Sequence, residues 1–248
     1  MSVNHRIPGL LGLTLLAALL AACDRTDPPS DRLERAAEDL VAEVESSPTP
    51  ARQPSGPWAP RNECADMPGG TDFLADLQAA IDTRDADALV ALTADDVKLD
   101  FGGGAGHQQL RERLAADNGA FWETLAKMDE LGCAADASSG ITIPWYFAQG
   151  VPVDPYTGAI VTGENVPMYN APARDAELVA ELSWEAVERL SDDPESERFD
   201  HVSWTDPQSG VEKEGYIAAE NLRSIIDYRL IASRRNNRWR ITALLAGD

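Results

Sequence analysis

Histidine, cysteine and basic residues are scarce in this chain of 248 residues. It has three His and three Cys, and its 21 Lys plus Arg stand against 42 Asp plus Glu, for a net charge of −21. Without His-Glu-x-x-His or Cys-x-x-Cys spacing, we expect neither a metal site nor a cofactor. No serine lies in the glycine pattern of a nucleophile elbow. A chain this acidic repels a phosphate backbone, which argues against nucleic acid as a partner.

The N-terminal hydrophobic run is also too short to cross a membrane. It extends over 14 residues from Ile7 to Leu20, whereas a membrane-spanning helix needs about 20. The basic residue Arg6 precedes it and small residues follow it. These features predict a secretory signal peptide over residues 1–22.

The end of this segment, Leu20-Ala21-Ala22-Cys23, resembles the lipobox of bacterial lipoproteins. The resemblance implies cleavage before Cys23 and lipid modification of that residue. Several acyl chains would then anchor the protein stably in a membrane of the cell envelope, facing the periplasm or the exterior. An ordinary signal peptide with a chance cysteine is the alternative. Asp24 resembles an inner-membrane retention signal of enterobacterial lipoproteins, but the choice between inner and outer membrane stays open.

Two cysteines remain once Cys23 is assigned to the anchor. Cys64 and Cys133 are an even pair in an oxidising compartment, where exported proteins rarely keep two free thiols. We therefore predict a disulfide that closes a loop of about 70 residues. A pair of buried thiols is the alternative.

Residues 23–60 are predicted to form a tether. They contain seven of the chain's 16 prolines, a composition that favours extended, solvated chain. Apolar residues at helical spacing from Leu33 to Val44, after a cap at Ser30, predict one short helix within it. The polar face of this helix is net acidic, so we expect a spacer rather than a helix that lies on anionic lipid.

Residues 61–150 are predicted to form the first part of an α+β domain. One helix is expected after a cap at Thr71 or Asp72, and a second after a cap at Asp85. The alternation over 97–101 indicates a half-buried strand, and a further strand is expected over 141–149.

Residues 151–226 are predicted to form a small β-barrel, because short strand patterns recur with turn signals between them. Glu164 to Pro172, and above all Gly215-Tyr216-Ile217-Ala218-Ala219, resemble the opening and closing segments of bacterial SH3-like domains. The resemblance implies an aromatic groove for cell-wall peptide or for a protein partner. The candidate ligand-binding residues are Tyr169, Trp184, Trp204 and Tyr216.

A C-terminal β-hairpin is predicted over 227–248. Asn236-Asn237, residues that tolerate the positive φ of a tight turn, separate two strands over 228–234 and 239–245. A hairpin alone is marginal in water, so we expect it to complete the sheet of the first domain, with 151–226 as an insertion. Helices followed by strands and this hairpin resemble the ketosteroid-isomerase-like α+β cone. The expected fold class is therefore α+β.

The same hairpin concentrates positive charge. Residues 223–248 carry six arginines against two aspartates, a net charge of +4 in an otherwise acidic chain. This face could bind an anionic ligand, or its arginines could pair with acidic helices or stay solvated.

The expected function is noncatalytic binding or scaffolding in the cell envelope, with the SH3-like module contacting peptidoglycan or an envelope protein. The alternative is a small-molecule binding protein or enzyme that uses a pocket in the cone-like domain. It would need a closed apolar cavity with an ionisable group inside. Asp100 and His107, on either side of the glycine run 102–106, are its acid–base candidates. That run lacks the Gly-Lys-Ser/Thr ending of a phosphate loop.

Overall fold

A computed structural model of the protein describes residues 54–136, 140–191 and 198–247. The signal peptide, Cys23 and the tether helix lie outside these ranges and stay predictions. Within them the protein is α+β, as expected, with four helices and twelve strands in two sheets. No helix in the described ranges has both the length and the apolar character that a membrane span requires.

Two of the four described helices come before the first strand in the chain, and two come after it. They are α1 (Gly70–Asp82), α2 (Ala86–Ala91), α3 (Gly106–Ala115) and α4 (Ala120–Asp129). Asp85 caps α2, because its carboxylate accepts hydrogen bonds of 3.0 Å from the backbone N–H groups of Asp87 and Ala88. Thr71 does not cap α1. That helix already begins at Gly70, before both expected caps, and it follows Gly69 in the left-handed region at φ 72°.

The first sheet has five strands in the order β1-β12-β11-β3-β2. The strands are β1 (Thr93–Lys98), β2 (Ala134–Asp136), β3 (Gly140–Ile143), β11 (Arg229–Arg235) and β12 (Arg238–Leu245). β12 runs parallel to β1 and antiparallel to β11, so the C-terminal hairpin supplies the middle of the sheet. Its turn residues Asn236 and Asn237 have φ of 53° and 62°. The strand expected over 141–149 ends at Ile143, and Trp145–Ala148 forms a 3-10 turn.

The second sheet has seven antiparallel strands in the order β10-β4-β7-β8-β9-β5-β6. The strands are β4 (Gly158–Val161), β5 (Val166–Tyr169), β6 (Leu178–Leu182), β7 (Ala186–Ser191), β8 (Phe199–Thr205), β9 (Glu212–Ala218) and β10 (Leu222–Ser224). The hydrogen-bonded order ends at β6 and β10, so the sheet is open. The closed barrel expected from the sequence is not formed by the described strands.

Each sheet has its own hydrophobic core, and a third cluster lies between the two. The first core joins the helices to the first sheet through fully buried side chains such as Leu77, Leu110 and Ile241. The second is built on the inner face of the second sheet. The third contains Tyr146 from the first part of the chain and Ile160 from β4, so the two sheets share apolar contacts.

Residues 54–63, called the strap below, run from one sheet to the other. At its first end, the backbone N–H and hydroxyl of Ser55 donate to the Glu164 carboxylate at 2.7 and 2.6 Å. The N–H of Trp58 donates to the backbone carbonyl of Trp184 at 3.0 Å. The part of the predicted tether that the structure describes is therefore held on the fold.

The second end of the strap is fixed to the first sheet. The N–H of Cys133 donates to the carbonyl of Arg61 at 2.7 Å, and the N–H of Glu63 donates to the carbonyl of Cys133 at 2.9 Å. Cys64, the next residue, forms a disulfide with Cys133, and the two Cα atoms are 5.9 Å apart. The indole of Trp145 adds a contact to the strap, because it donates to the Glu63 carboxylate at 2.8 Å.

Candidate functional site

Asp100 is held in place by its own loop. Its carboxylate accepts the N–H of Gly104 at 2.7 Å and forms an ion pair with Arg113. These contacts, the Gly104 hydrogen bond first, lower the pKa of Asp100 below its usual range. A general base that works near neutral pH needs a raised pKa and a free oxygen. The geometry therefore gives Asp100 a structural role, in which its carboxylate holds the glycine run 102–106 in place.

His107 lies beside a different carboxylate, but its buried Nε2 has no hydrogen-bond partner among the described residues. Its Nε2 lies 3.8 Å from a carboxylate oxygen of Asp95, and about a third of its side chain is exposed. Asp100 and His107 thus lie beside different groups, and neither lines either of the two clefts described below. The structure does not assemble them into an acid–base pair.

The two candidate tryptophans face inward. Trp204 is 9% exposed in the second core, with the Lys213 ammonium 5.4 Å from its ring centroid. Trp184 belongs to the cluster between the sheets and holds the strap through its backbone carbonyl. We expected all four aromatic residues to share one ligand groove, but Trp184 and Trp204 lie elsewhere.

The two candidate tyrosines lie side by side on the second sheet. Tyr169 of β5 is the direct cross-strand partner of Tyr216 of β9. Tyr216 in turn pairs with His201 of β8, and their rings stack with centroids 4.7 Å apart at an interplanar angle of 18°. Phe199, which is only 8% exposed, meets the Tyr169 ring edge-on at 6.3 Å and supports it from the buried side. These four residues, called the aromatic row below, cross three adjacent strands.

The aromatic row has an acidic and an apolar neighbour. The Glu214 carboxylate lies 3.7 Å from His201 Nε2. On the other side, Leu178 of the edge strand β6 pairs with Tyr169 and is 50% exposed. Flat ring faces, an exposed aliphatic side chain and a carboxylate can hold a ligand by stacking and hydrogen bonding.

Sequence reasoning missed His201 and Phe199 as members of the aromatic row. Alternation along β8 was the signal that could have found them. Val202 and Trp204 point into the second core, so Phe199 and His201 must share the opposite face. The pairing of His201 with Tyr216 depends on the register of β8 and β9, which the sequence alone does not reveal.

Two of the hairpin arginines have structural roles. Arg229 is 7% exposed, lies between the Phe147 ring at 4.5 Å and the Phe101 ring at 5.7 Å, and donates to the Gly247 carbonyl. It lines an open cleft of about 400 Å³ on the first sheet. Arg223 is bound to Tyr146, Tyr228 and Asp227.

The remaining arginines of this segment reach the surface. Arg235 pairs with Asp96 at 3.2 Å, and Arg234, Arg238 and Arg240 line a second cleft of about 500 Å³. Both clefts are open, whereas the enzymatic alternative requires a closed apolar cavity. Over residues 54–136, 140–191 and 198–247, no group of three or more His, Cys, Asp or Glu side chains could hold a metal ion.

Comparison with known proteins gives little to add to this geometry. No protein-family model and no curated protein matches the chain. One solved structure, described as "Putative calcium/calmodulin dependent protein kinase II association domain" from Xanthomonas campestris, is similar over 78% of this chain and 98% of that chain. The identity is 11% and the TM-score is 0.27. A TM-score this low does not identify a fold, and nothing below depends on it.

Proposed function

We propose that this protein is a lipid-anchored component of the bacterial cell envelope with a noncatalytic binding role. The proposal of an anchor is supported by the short hydrophobic run and by Cys23 at the end of a lipobox-like sequence. The proposal of noncatalytic binding is supported by the positions of Asp100 and His107, because Asp100 is bound to Gly104 and Arg113 whereas His107 lies beside Asp95. The α+β part would be cone-like, and the second sheet would be an SH3-like module that carries the ligand.

The aromatic row is the observation that carries the binding role. Tyr169 and Tyr216 sit in register on neighbouring strands and are only partly buried, and the Tyr216 ring stacks on His201, so partly exposed rings lie side by side across three strands. Aromatic surfaces of this kind hold extended peptides, because rigid rings provide a large contact area at a small entropic cost. Cell-wall peptide or an extended segment of an envelope protein is the ligand that this surface fits.

Co-sedimentation with purified peptidoglycan tests the proposal, together with crosslinked capture of envelope proteins by the full chain in detergent. We expect the wild-type chain to bind in one of the two assays and Tyr216→Ala to lose most of that binding. The matched control is Tyr156→Ala, which removes a tyrosine that is 69% exposed and lies outside the aromatic row. It should bind like the wild type.

Two results would overturn this role. One is the absence of any binding by the wild-type chain in both assays. The other is an equal loss in Tyr216→Ala and Tyr156→Ala, which would show that the aromatic row makes no particular contribution.

A further inference from the structure

The second cleft has oppositely charged residues on its two sides. The hairpin contributes Arg234, Arg238 and Arg240, and α1 contributes Asp72 and Asp76. We propose that this cleft binds a small zwitterion that carries an oxyanion and a primary ammonium group. The proposal concerns a site separate from the aromatic row and does not rest on the function proposed for it.

The charged residues that line the cleft form no ion pairs with one another. Among the described residues, neither aspartate and none of the three arginines has an oppositely charged side chain within 4.0 Å. Arg234 and Arg240 donate only to backbone carbonyls, at 3.5 and 3.4 Å. The charges of the residues that line the cleft are therefore not neutralised by an oppositely charged neighbour in the described part of the chain, and the arginines and aspartates are partly or fully exposed.

Trp239 and Phe73 join the two sides of the cleft. The indole N–H of Trp239 donates to the carbonyl of Pro68 at 3.1 Å, which joins the hairpin to the loop before α1. The Trp239 ring also packs against Phe73, with ring centroids 6.3 Å apart. Both rings are more than nine-tenths buried, so this contact packs the hairpin against α1.

The arginines specify the anionic half of the ligand. A guanidinium presents five N–H donors in a planar fork, which matches the oxygens of a phosphate or a carboxylate. A site with three such groups is unusual in a chain of net charge −21. It concentrates positive charge at one place on an acidic surface.

The aspartates specify the cationic half. Asp72 and Asp76 are four residues apart, so they lie on the same face of α1. A simple anion would be repelled by these carboxylates, whereas a ligand with an ammonium group would be attracted to them. A cleft of about 500 Å³ is large enough for such a molecule. This charge arrangement favours a zwitterion over a simple anion.

Four soluble probes separate the two halves: phosphoethanolamine, inorganic phosphate, ethanolamine and phosphocholine. The full chain in detergent is titrated with each, and the indole N–H resonance of Trp239 reports on the cleft. We expect phosphoethanolamine to bind about tenfold more tightly than phosphate or ethanolamine, and more tightly than phosphocholine, whose quaternary ammonium has no N–H donor.

Two variants should have opposite effects on the probes. Arg240→Gln should weaken phosphoethanolamine and phosphate by about tenfold each. Asp76→Asn should weaken phosphoethanolamine but strengthen phosphate, because it removes a negative charge from the cleft. The matched control is Arg174→Gln, which removes an equal charge from an exposed pair with Glu220 on the second sheet and should change neither.

The outcomes are distinct. A Trp239 shift that saturates with phosphoethanolamine and follows the two variants supports the proposal. Nanodiscs of phosphatidylcholine, with or without phosphatidylethanolamine, then tell a lipid head group from a soluble solute, because only a head group would produce the shift in nanodiscs. The proposal is overturned if no probe shifts Trp239, if Arg174→Gln weakens binding as much as Arg240→Gln, or if Asp76→Asn changes phosphate and phosphoethanolamine alike.

Discussion

The Nε of Arg223 donates a hydrogen bond of 3.2 Å to the hydroxyl of Tyr146 and so links the two sheets. Arg223 lies on β10, whereas Tyr146 lies in the 3-10 turn that follows β3. The same guanidinium donates to the carbonyl of Tyr228 at 2.9 Å and pairs with Asp227 at 3.2 Å. Burial raises the pKa of Tyr146 to about 12, so the phenol stays neutral at physiological pH.

Removing the Tyr146 hydroxyl should destabilise the fold. Tyr146→Phe leaves a nearly buried guanidinium with one hydrogen bond fewer, so we expect the free energy of unfolding to fall by about 1–2 kcal/mol. Chemical denaturation of the full chain measures it. Tyr216→Phe, at a partly exposed tyrosine on the second sheet, is the control and should change little. Equal stabilities of Tyr146→Phe and the wild type would show that the link contributes nothing.

The disulfide should contribute strongly to stability. Cys64 and Cys133 are 69 residues apart. In the chain-entropy model, a cross-link that closes a loop of this size lowers the entropy of the unfolded chain and raises the free energy of unfolding by about 4 kcal/mol. We expect the Cys64→Ser, Cys133→Ser double variant to unfold at a much lower denaturant concentration than the wild type. Cys23→Ser, which leaves this pair intact, should match the wild type in detergent. A double variant as stable as the wild type would contradict this expectation.

Asp129 should make stability depend on pH. Burial, with the nearby charges of Asp82 and Glu130, raises its pKa to about 6 from 3.8. The folded state thus binds this proton more tightly than the unfolded state, so stability falls as the pH rises from about 4 to about 6. Asp129→Asn should therefore be more stable than the wild type by about 2 kcal/mol at pH 8, allowing for its partial exposure, and similar to it at pH 4.

The control for Asp129 is Asp66→Asn, at an exposed position in the 3-10 turn before α1. Denaturation at both pH values compares the three proteins. A stability difference between Asp129→Asn and the wild type that is the same at pH 4 and pH 8 would rule out the titration of Asp129 as its cause.

Asp100 should show the opposite pH dependence. Its lowered pKa means that the ionised form is favoured by folding, so its contribution is complete above about pH 4 and is lost as the pH falls through the folded-state pKa. Asp100→Asn should be less stable than the wild type at pH 7, with a smaller difference at pH 3. Denaturation midpoints at the two pH values test this, and a difference that grows towards low pH would contradict it.

Cys23→Ser should release the protein from membranes if Cys23 carries the anchor. In a bacterial host, metabolic labelling with a palmitate analogue should mark the wild-type chain, and the variant should remain unlabelled and move to the soluble fraction. Cys64→Ser is the control and should keep its label. Labelling of Cys23→Ser would show that the lipid is attached elsewhere.

Local features of the fold could be read from short stretches of sequence. Asp85 precedes a helical pattern, and its carboxylate caps that helix because the geometry involves only the next three residues. Asn236 and Asn237 adopt positive φ for a similarly local reason, since their side chains tolerate a conformation that most residues avoid. Thr71 shows the limit of this reasoning, because Gly69 can start the helix earlier without a side-chain cap.

Only some residues of the candidate site could be predicted from the sequence. Tyr216 and Trp204 are both aromatic residues on strands, and composition gives no reason to separate them. The register of β8, β9 and β5 places Tyr216 beside Tyr169 and His201, while Trp204 faces the second core. A shift of one residue would exchange these faces.

Composition and local periodicity were enough to predict the α+β class and the turn of the hairpin, because both depend on residues close together in the chain. The open second sheet and the binding of Asp100 to Gly104 and Arg113 could be seen only in the fold. The same holds for the cleft that arginines of the hairpin and aspartates of α1 line together. These relationships join residues far apart in the chain, and they depend on strand register and packing rather than on neighbouring residues.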